Sequence, residues 1–464
     1  MSEHTQEPVT FRDRIATADE KGKRNWIYPK KPSGKFHNYR LLVATILLGF
    51  FFGAPFIDIN GYPMLQFNFI DRMFIFFGVV FWPQDFFIFA IAALVFLLMI
   101  VSFTSIFGRF WCGWACPQTI FMEVVFRKIE FFIEGDGAKQ KLLDQQPLSA
   151  EKIFKKLTKH GVFFFISFLI ANTFLAYIIG KDALIKIITE PVSMHLSGLI
   201  SLTTFSFVFY AVYARFREQA CTIVCPYGRF QSVLVDDRTV AVTYDFVRGE
   251  PRGFLKKEPN TVKTGDCVDC KQCVRVCPTG IDIRNGIQLE CVNCTACIDA
   301  CDDVMTIVGK PKGLIRYASN ENIVKGTRFH LNIRNIAYIT VLTVLTGVLI
   351  SIFLTRKDFD ILILRQPGII YQQIDATHYS NLYNLKLSNK RIHDLKGTLQ
   401  IMNIPARIQF INDFDTVSSQ ELKEFKLFII ADKKDLKSGS NHIELLFTAD
   451  NGDTKTIKTE FISP

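Results

Sequence analysis

No cysteine follows Cys301 in a chain of 464 residues, and no histidine stands between His195 and His330. The first absence leaves the C-terminal part without a disulfide, so it must fold on an apolar core alone. The second removes the imidazole that zinc sites commonly mix with cysteine. There is no glycine-rich nucleotide loop, no C-x-x-C-H haem attachment and no nucleophile–base pattern, so flavin, haem c and hydrolytic readings lack support. Residues 1–40 lack a short apolar run closed by small residues, which argues against a cleaved signal peptide. They are polar and basic and read as a cytosolic tail.

The cysteines that are present are concentrated. Of 12, eight lie between Cys267 and Cys301 and four form two C-x3-C-P pairs. The first run is Cys267-x2-Cys270-x2-Cys273-x3-Cys277-Pro278; the second is Cys291-x2-Cys294-x2-Cys297-x3-Cys301. This is the spacing of two-cluster ferredoxins, in which the fourth cysteine of each run ligates the other cluster. It predicts one [4Fe–4S] cluster on Cys267, Cys270, Cys273 and Cys301, and a second on Cys277, Cys291, Cys294 and Cys297. Two tetrahedral zinc sets are the weaker alternative. Asp302 stands where a second proline would complete the pattern, and the ligand set is unaffected. Ligating thiolates need a reducing compartment, hence the cytosol.

Composition points to a membrane. Hydrophobic residues make up 49% of the chain and Phe alone numbers 45. Apolar stretches near 41–57, 86–107, 161–180, 196–214 and 335–354 approach the length of about 20 residues that spans a bilayer. Residues 72–83 are apolar but short and read as an interfacial or re-entrant segment. The net charge of +10 invites a nucleic-acid reading, but the basic residues sit in loops between apolar segments. Segment 57–85 holds only Arg72 and 181–195 only Lys181 and Lys186, against nine Lys or Arg in 108–160 and eighteen in 215–334. The positive-inside rule then puts the N-terminus, the 108–160 loop and the cluster region in the cytosol. The expected organisation is a tail (1–40), four membrane helices (41–215), a cytosolic ferredoxin domain (216–334), a fifth helix (335–355) and a periplasmic domain (356–464).

The other cysteines follow the second and fourth helices in matching places. They read Trp111-Cys112-Gly-Trp-Ala-Cys116-Pro117-Gln118 and Cys221-Thr-Ile-Val-Cys225-Pro226-Tyr-Gly-Arg229-Phe230-Gln231. Pro117 and Pro226 suit the first position of a helix, and Cys116 and Cys225 would sit at helix N-termini. If the preceding residues are helical, each pair shares a face at i, i+4. Four soft thiolates converging there suit Cu(I) or a redox dithiol, and the spacing does not choose. Met64, Met194 and His195 could also touch copper, but such residues at helix ends are far more often packing.

The tail carries evenly spaced β-rich runs at 361–364, 382–387, 399–402, 426–430 and 443–447, with an Asn451-Gly452 turn, and reads as an antiparallel sandwich. With the two cysteine pairs, Phe81-Trp82-Pro83-Gln84-Asp85, the paired ferredoxin runs and this β tail, the sequence resembles the CcoG/FixG/RdxA family of cytochrome c oxidase accessory proteins over nearly its whole length. The resemblance implies a multi-domain protein of the bacterial inner membrane with about five helices, a two-cluster ferredoxin domain and an immunoglobulin-like β sandwich. It also implies reduction of Cu(II) to Cu(I) for a cbb-type oxidase, with copper as substrate and oxidase subunits or copper chaperones as partners. Alternatives are a quinol- or ferredoxin-linked conduit to a protein acceptor, as in membrane subunits of nitrate reductase systems, and a non-catalytic assembly scaffold.

Overall fold

A computed structural model describes residues 16–464 apart from 19–20, 22, 60, 70–72, 82–85, 192, 255–263, 328–330, 356–358, 369–370, 376, 392, 412 and 420. Arg72 and the Trp82-Pro83-Gln84-Asp85 motif thus lie outside the described residues. Two compact units, Met1–Leu349 and Ile350–Pro464, are taken separately.

Among the described residues five helices are long and apolar enough to cross a membrane. They are α1 (Lys35–Gly53), α2 (Phe86–Phe107), α3 (Ala150–Ile179), α4 (Leu196–Ala211, continued by a π turn to Phe216) and α5 (Ile333–Leu354). Large apolar side chains stay exposed along them, including Leu42, Phe96, Phe165, Phe207 and Val344. Bands of this kind need lipid to cover them. Helix α3 begins eleven residues before the apolar stretch at 161, at Ser149, whose hydroxyl accepts from the Lys152 N–H at 3.2 Å. Its 30 residues reach about 45 Å at 1.5 Å per residue, so its charged first turns extend beyond an apolar slab of about 30 Å.

The described part of the short apolar segment 72–83 is β structure, continuous with residues 65–68. Together they form a three-stranded antiparallel sheet, Leu65–Asn68, Met73–Phe76 and Val79–Phe81. Alternation of Phe, Ile and Val over short runs satisfies the backbone within the sheet, and Phe67–Phe76 and Phe76–Phe81 ring pairs lock its face.

Just before α1 the described backbone is tied to the rest of the unit. The Lys30 N–H donates to Arg275 O at 2.8 Å and the Tyr28 hydroxyl to Asp144 at 2.5 Å. The α1 N-terminus is capped by Asp299, which accepts from the N–H groups of Phe36 (3.2 Å) and His37 (2.8 Å). Asp299 lies between two cysteines of the second run, so the cap joins the first membrane helix to the ferredoxin module. Gly34 at φ 131° makes room for it, since a Cβ there would fall 2.4 Å from Asp299.

The second unit is an antiparallel sandwich. Its strands are β1 (Phe359–Arg365), β2 (His378–Asn389), β3 (Gly397–Ile401), β4 (Ala406–Phe410), β5 (Leu422–Asp432), β6 (Gly439–Ala449) and β7 (Thr454–Ser463). One sheet runs β4-β5-β2-β1 and the other β3-β6-β7. Alternate residues face inward: Phe425, Leu427, Ile429 and Ala431 of β5 meet Ile443, Leu445 and Phe447 of β6 in one core. The Tyr383 hydroxyl reaches from β2 to Glu460 O on β7 at 2.8 Å, tying the sheets together.

Candidate functional site

The eight clustered cysteines line two small cavities. Cys267, Cys270, Cys273 and Cys301 face one of about 20 Å³. Cys277, Cys291, Cys294 and Cys297 face the other, also of about 20 Å³, with Cys273 on its border. Around each second cysteine the backbone turns left-handed at matching residues: Asp269 and Lys271 (φ 47° and 56°), Asn293 and Thr295 (φ 53° and 66°). Such conformations cost about 1–3 kcal/mol each in non-glycine residues. Successive turns of this kind aim backbone N–H groups into a hollow that suits a sulfur-rich anion.

The fit extends to the chemistry of the donors. Among the described residues each cavity is lined by thiols, without His or a carboxylate, a soft donor set of the kind that holds iron–sulfur clusters. Burial pushes the free thiols of Cys273, Cys291 and Cys301 up to about 12. A bound metal must displace those protons. Cys270 alone of the twelve is exposed.

The remaining four cysteines form a pseudo-symmetric pair of turns. Cys112 rides on the short helix Phe110–Trp114 and Cys221 on a π turn, Ala220–Val224. Cys116 and Cys225 are extended N-caps with Pro117 and Pro226 in the first helical position behind them. Both turns close with the same wide bond, Cys116 N–H to Trp111 O at 2.9 Å and Cys225 N–H to Ala220 O at 2.8 Å. The pairs therefore do not share a regular i, i+4 helix face; the proline that starts the next helix forces the second cysteine into an extended backbone.

The four thiols do come together electrostatically. Cys221 is pushed up to about 12 by burial and by Cys116, Cys112 and Cys225; Cys112 is pushed up to about 12 by burial and Cys116, against the pull of Arg109. The Cys112 thiol donates to Gln231 Oε1 at 3.3 Å. Among the described residues the buried amide nitrogens of Gln118 and Gln231 have no hydrogen-bond partner, and the Thr119 side chain bonds to Cys221. His195 is bonded to Glu190 and Met194 is exposed.

This thiol group abuts the second cavity directly. A Cβ on Gly113 would fall 2.5 Å from Val292 O and 2.6 Å from Asn293 O, so only glycine lets the Cys112 turn meet the Cys291–Cys294 loop. Arg40 Nε donates to Gly113 O at 2.7 Å. Arg109 donates to Leu289 O on one side and Gly228 O on the other. Trp114 Nε1 donates to the Tyr317 hydroxyl at 3.0 Å, which donates to Asn293 O at 3.3 Å. Gln231 closes the second cysteine motif, whereas Arg40 and Tyr317 are distant in sequence and no motif signals them. Beneath the thiols, Glu130 holds Arg217 through two bonds (3.0 and 2.9 Å) and nears Lys159, while Arg127 bridges Glu123 and Glu218. This brace fixes the residues just before Cys221.

Comparison with known proteins agrees. A 4Fe-4S dicluster domain profile matches residues 216–320, a 4Fe-4S binding domain 89–134, and the IG-like fold at the C-terminus of FixG 349–464. The chain is 39% identical over 308 residues to the nitrogen fixation protein FixG of Rhizobium meliloti, covering 64% of this chain and 58% of that protein. It is 34% identical over 396 residues to protein RdxA of Cereibacter sphaeroides, covering 82% of each. RdxB of the same organism matches at 35% over 388 residues, 80% of each. A crystal structure of a FixG-related protein from Vibrio parahaemolyticus aligns at 18% identity over 23% of this chain and 98% of that one, with a TM-score of 0.19, too low to argue from. With its ferredoxin-type cysteine runs, its apolar helices and its β sandwich, this chain belongs to the FixG/RdxA family of 4Fe–4S iron–sulfur proteins.

Proposed function

We propose that the protein carries electrons at a bacterial inner membrane and reduces Cu(II) to Cu(I) for assembly of a cbb-type haem–copper oxidase. The observation that carries this reading is the direct packing of the Cys112–Cys116 turn on the Cys291–Cys294 loop. Cys267, Cys270, Cys273 and Cys301 would hold one [4Fe–4S] cluster, and Cys277, Cys291, Cys294 and Cys297 the other. Such clusters, when bound, carry single electrons.

Cys112, Cys116, Cys221 and Cys225 would receive the copper. Soft thiolates favour Cu(I) over Cu(II), so the site stabilises the product of the step. One electron is added to Cu(II) and no bond of another substrate is broken. The electron comes from a reduced carrier, a quinol or a ferredoxin-type protein. The basic loops and the need for reduced thiols support a cytosolic placement of the N-terminus and both cysteine cavities. The sandwich would then lie in the periplasm, where it could dock an oxidase subunit or a copper chaperone.

The test uses anaerobically purified, reduced protein in detergent, mixed with Cu(II) while Cu(I) is trapped by a chelator. A parallel variant has Cys112, Cys116, Cys221 and Cys225 changed to Ser. Cu(I) formation that is lost in the variant, whose clusters stay reduced, supports the reading. Equal rates in both would mean adventitious reduction and would favour the conduit or the scaffold.

A further inference from the structure

We infer that Arg40 and Arg109 are the cationic partners of the second thiol set (Cys277, Cys291, Cys294, Cys297), hold up the reduction potential of a cluster bound there, and make that set the one joined to the four membrane-side thiols. The inference rests on the reading of the two cavities as [4Fe–4S] sites.

Three observations carry it. First, both arginines are buried, at 6% and 8% exposure, and both are permanently charged. Among the described residues neither makes an ion pair; their bonds go to backbone carbonyls alone, Gly113 O for Arg40, Leu289 O and Gly228 O for Arg109. Second, they act on the right thiols, since Arg109 is electrostatically coupled to Cys291 and Arg40 to Cys294. Glu123, also coupled to Cys294, is paired with Arg127 at 3.3 Å. Glu290 lines the same cleft as Arg109 and Cys291, one carboxylate against two guanidiniums.

Third, among the described residues the other set has no buried unpaired cation: Lys271 lines its cavity but is exposed to solvent, which screens its charge. Its arginine, Arg284, is already neutralised by Asp269 at 2.5 Å and Asp282 at 2.7 Å, and its Cys270 is exposed. Reduction adds one negative charge to a cluster, and net charge and hydrogen bonding near the sulfurs set its potential. Two buried cations against one carboxylate therefore favour the reduced form at the second set. The same guanidiniums clamp it to the Cys112 and Cys225 turns, so they are positioning residues as well as tuning ones.

The experiment is a potentiometric titration of the full-length holoprotein in detergent, with dithionite as reductant and EPR as readout. Wild type is compared with Arg40→Gln, Arg109→Gln, Arg109→Lys and Arg284→Gln. The expected result is that Arg40→Gln and Arg109→Gln lower the potential of one and the same EPR component. Arg109→Lys restores most of the shift, and Arg284→Gln moves the other component. If Arg109→Gln moves neither component, or moves the one that Arg284→Gln moves, the inference is overturned. Iron analysis of the wild type separates the two levels: far fewer than about eight irons per chain would overturn the cluster reading, and this inference with it.

Discussion

Glu130 is a buried carboxylate in an apolar surround, and only its partners make it tolerable. Burial pushes its carboxyl up, but Arg217, Lys159 and Arg127 outweigh that and hold it below the usual glutamate range. A carboxyl depressed on folding contributes stability that is complete above its unfolded value of about 4.3 and is lost as pH falls through the lower folded value. Glu130→Ala leaves Arg217 buried without its two bonds, and breaking a buried pair from one side costs about 3–5 kcal/mol. A thermal unfolding midpoint well below wild type is expected at neutral pH, with the gap narrowing in acid below the glutamate range. A wild-type midpoint at neutral pH would show the brace to be dispensable. Gly113 works by having no side chain. The atoms a Cβ would strike are backbone oxygens of Val292 and Asn293, which cannot swing aside. Gly113→Ala should cost about 1–3 kcal/mol as overpacking does and slow oxidation of the reduced protein by Cu(II), with iron content unchanged. Unslowed oxidation would mean that the contact between the turn and the loop is not on the route.

At the scale of elements, the cap on α1 shows how the ferredoxin module and the first membrane helix depend on each other. Asp299 satisfies two N–H groups that the helix itself cannot. Asp299→Ala should cost about 0.5–2 kcal/mol, seen as faster hydrogen exchange at Phe36 and His37, and Asp299→Asn should keep most of the protection. Equal exchange in wild type and the Ala variant would rule out the cap. None of this was legible from residues 16–40, because polar segments pinned by tertiary bonds carry no periodicity. The long apolar helices were legible, since a bilayer demands unbroken runs, but the start of α3 was not: Glu151 to Lys159 is charged helix beyond the apolar stretch, announced only by Ser149. In the sandwich, β2, β5 and β6 show their alternation plainly. The edge strands β4 and β7 are short or rich in Thr and Lys, and their weaker apolar signal hid them. The twelve cysteines announced themselves by spacing. Arg40 and Tyr317, which the fold brings beside the Cys112 turn from distant elements, did not.

For the whole molecule the open question is which face of the membrane each part meets. The loops before α3 and between α4 and α5 carry nine and eighteen basic residues against one and two in the segments between the other apolar helices, an imbalance that under the positive-inside rule favours a cytosolic place for those loops. Chemistry points the same way, because thiols spread over two cavities would oxidise in a disulfide-forming compartment. A reporter enzyme that needs a disulfide to fold should therefore be active when fused after Pro464 and inactive when inserted in the exposed stretch at Gln146–Leu148. The reverse pattern would place all twelve thiols on the oxidising side and would remove the electron-transfer reading at its root. The expected pattern, joined to a loss of Cu(I) formation in the four-serine variant, would put copper reduction at the cytosolic boundary and leave the sandwich to act across the membrane from it.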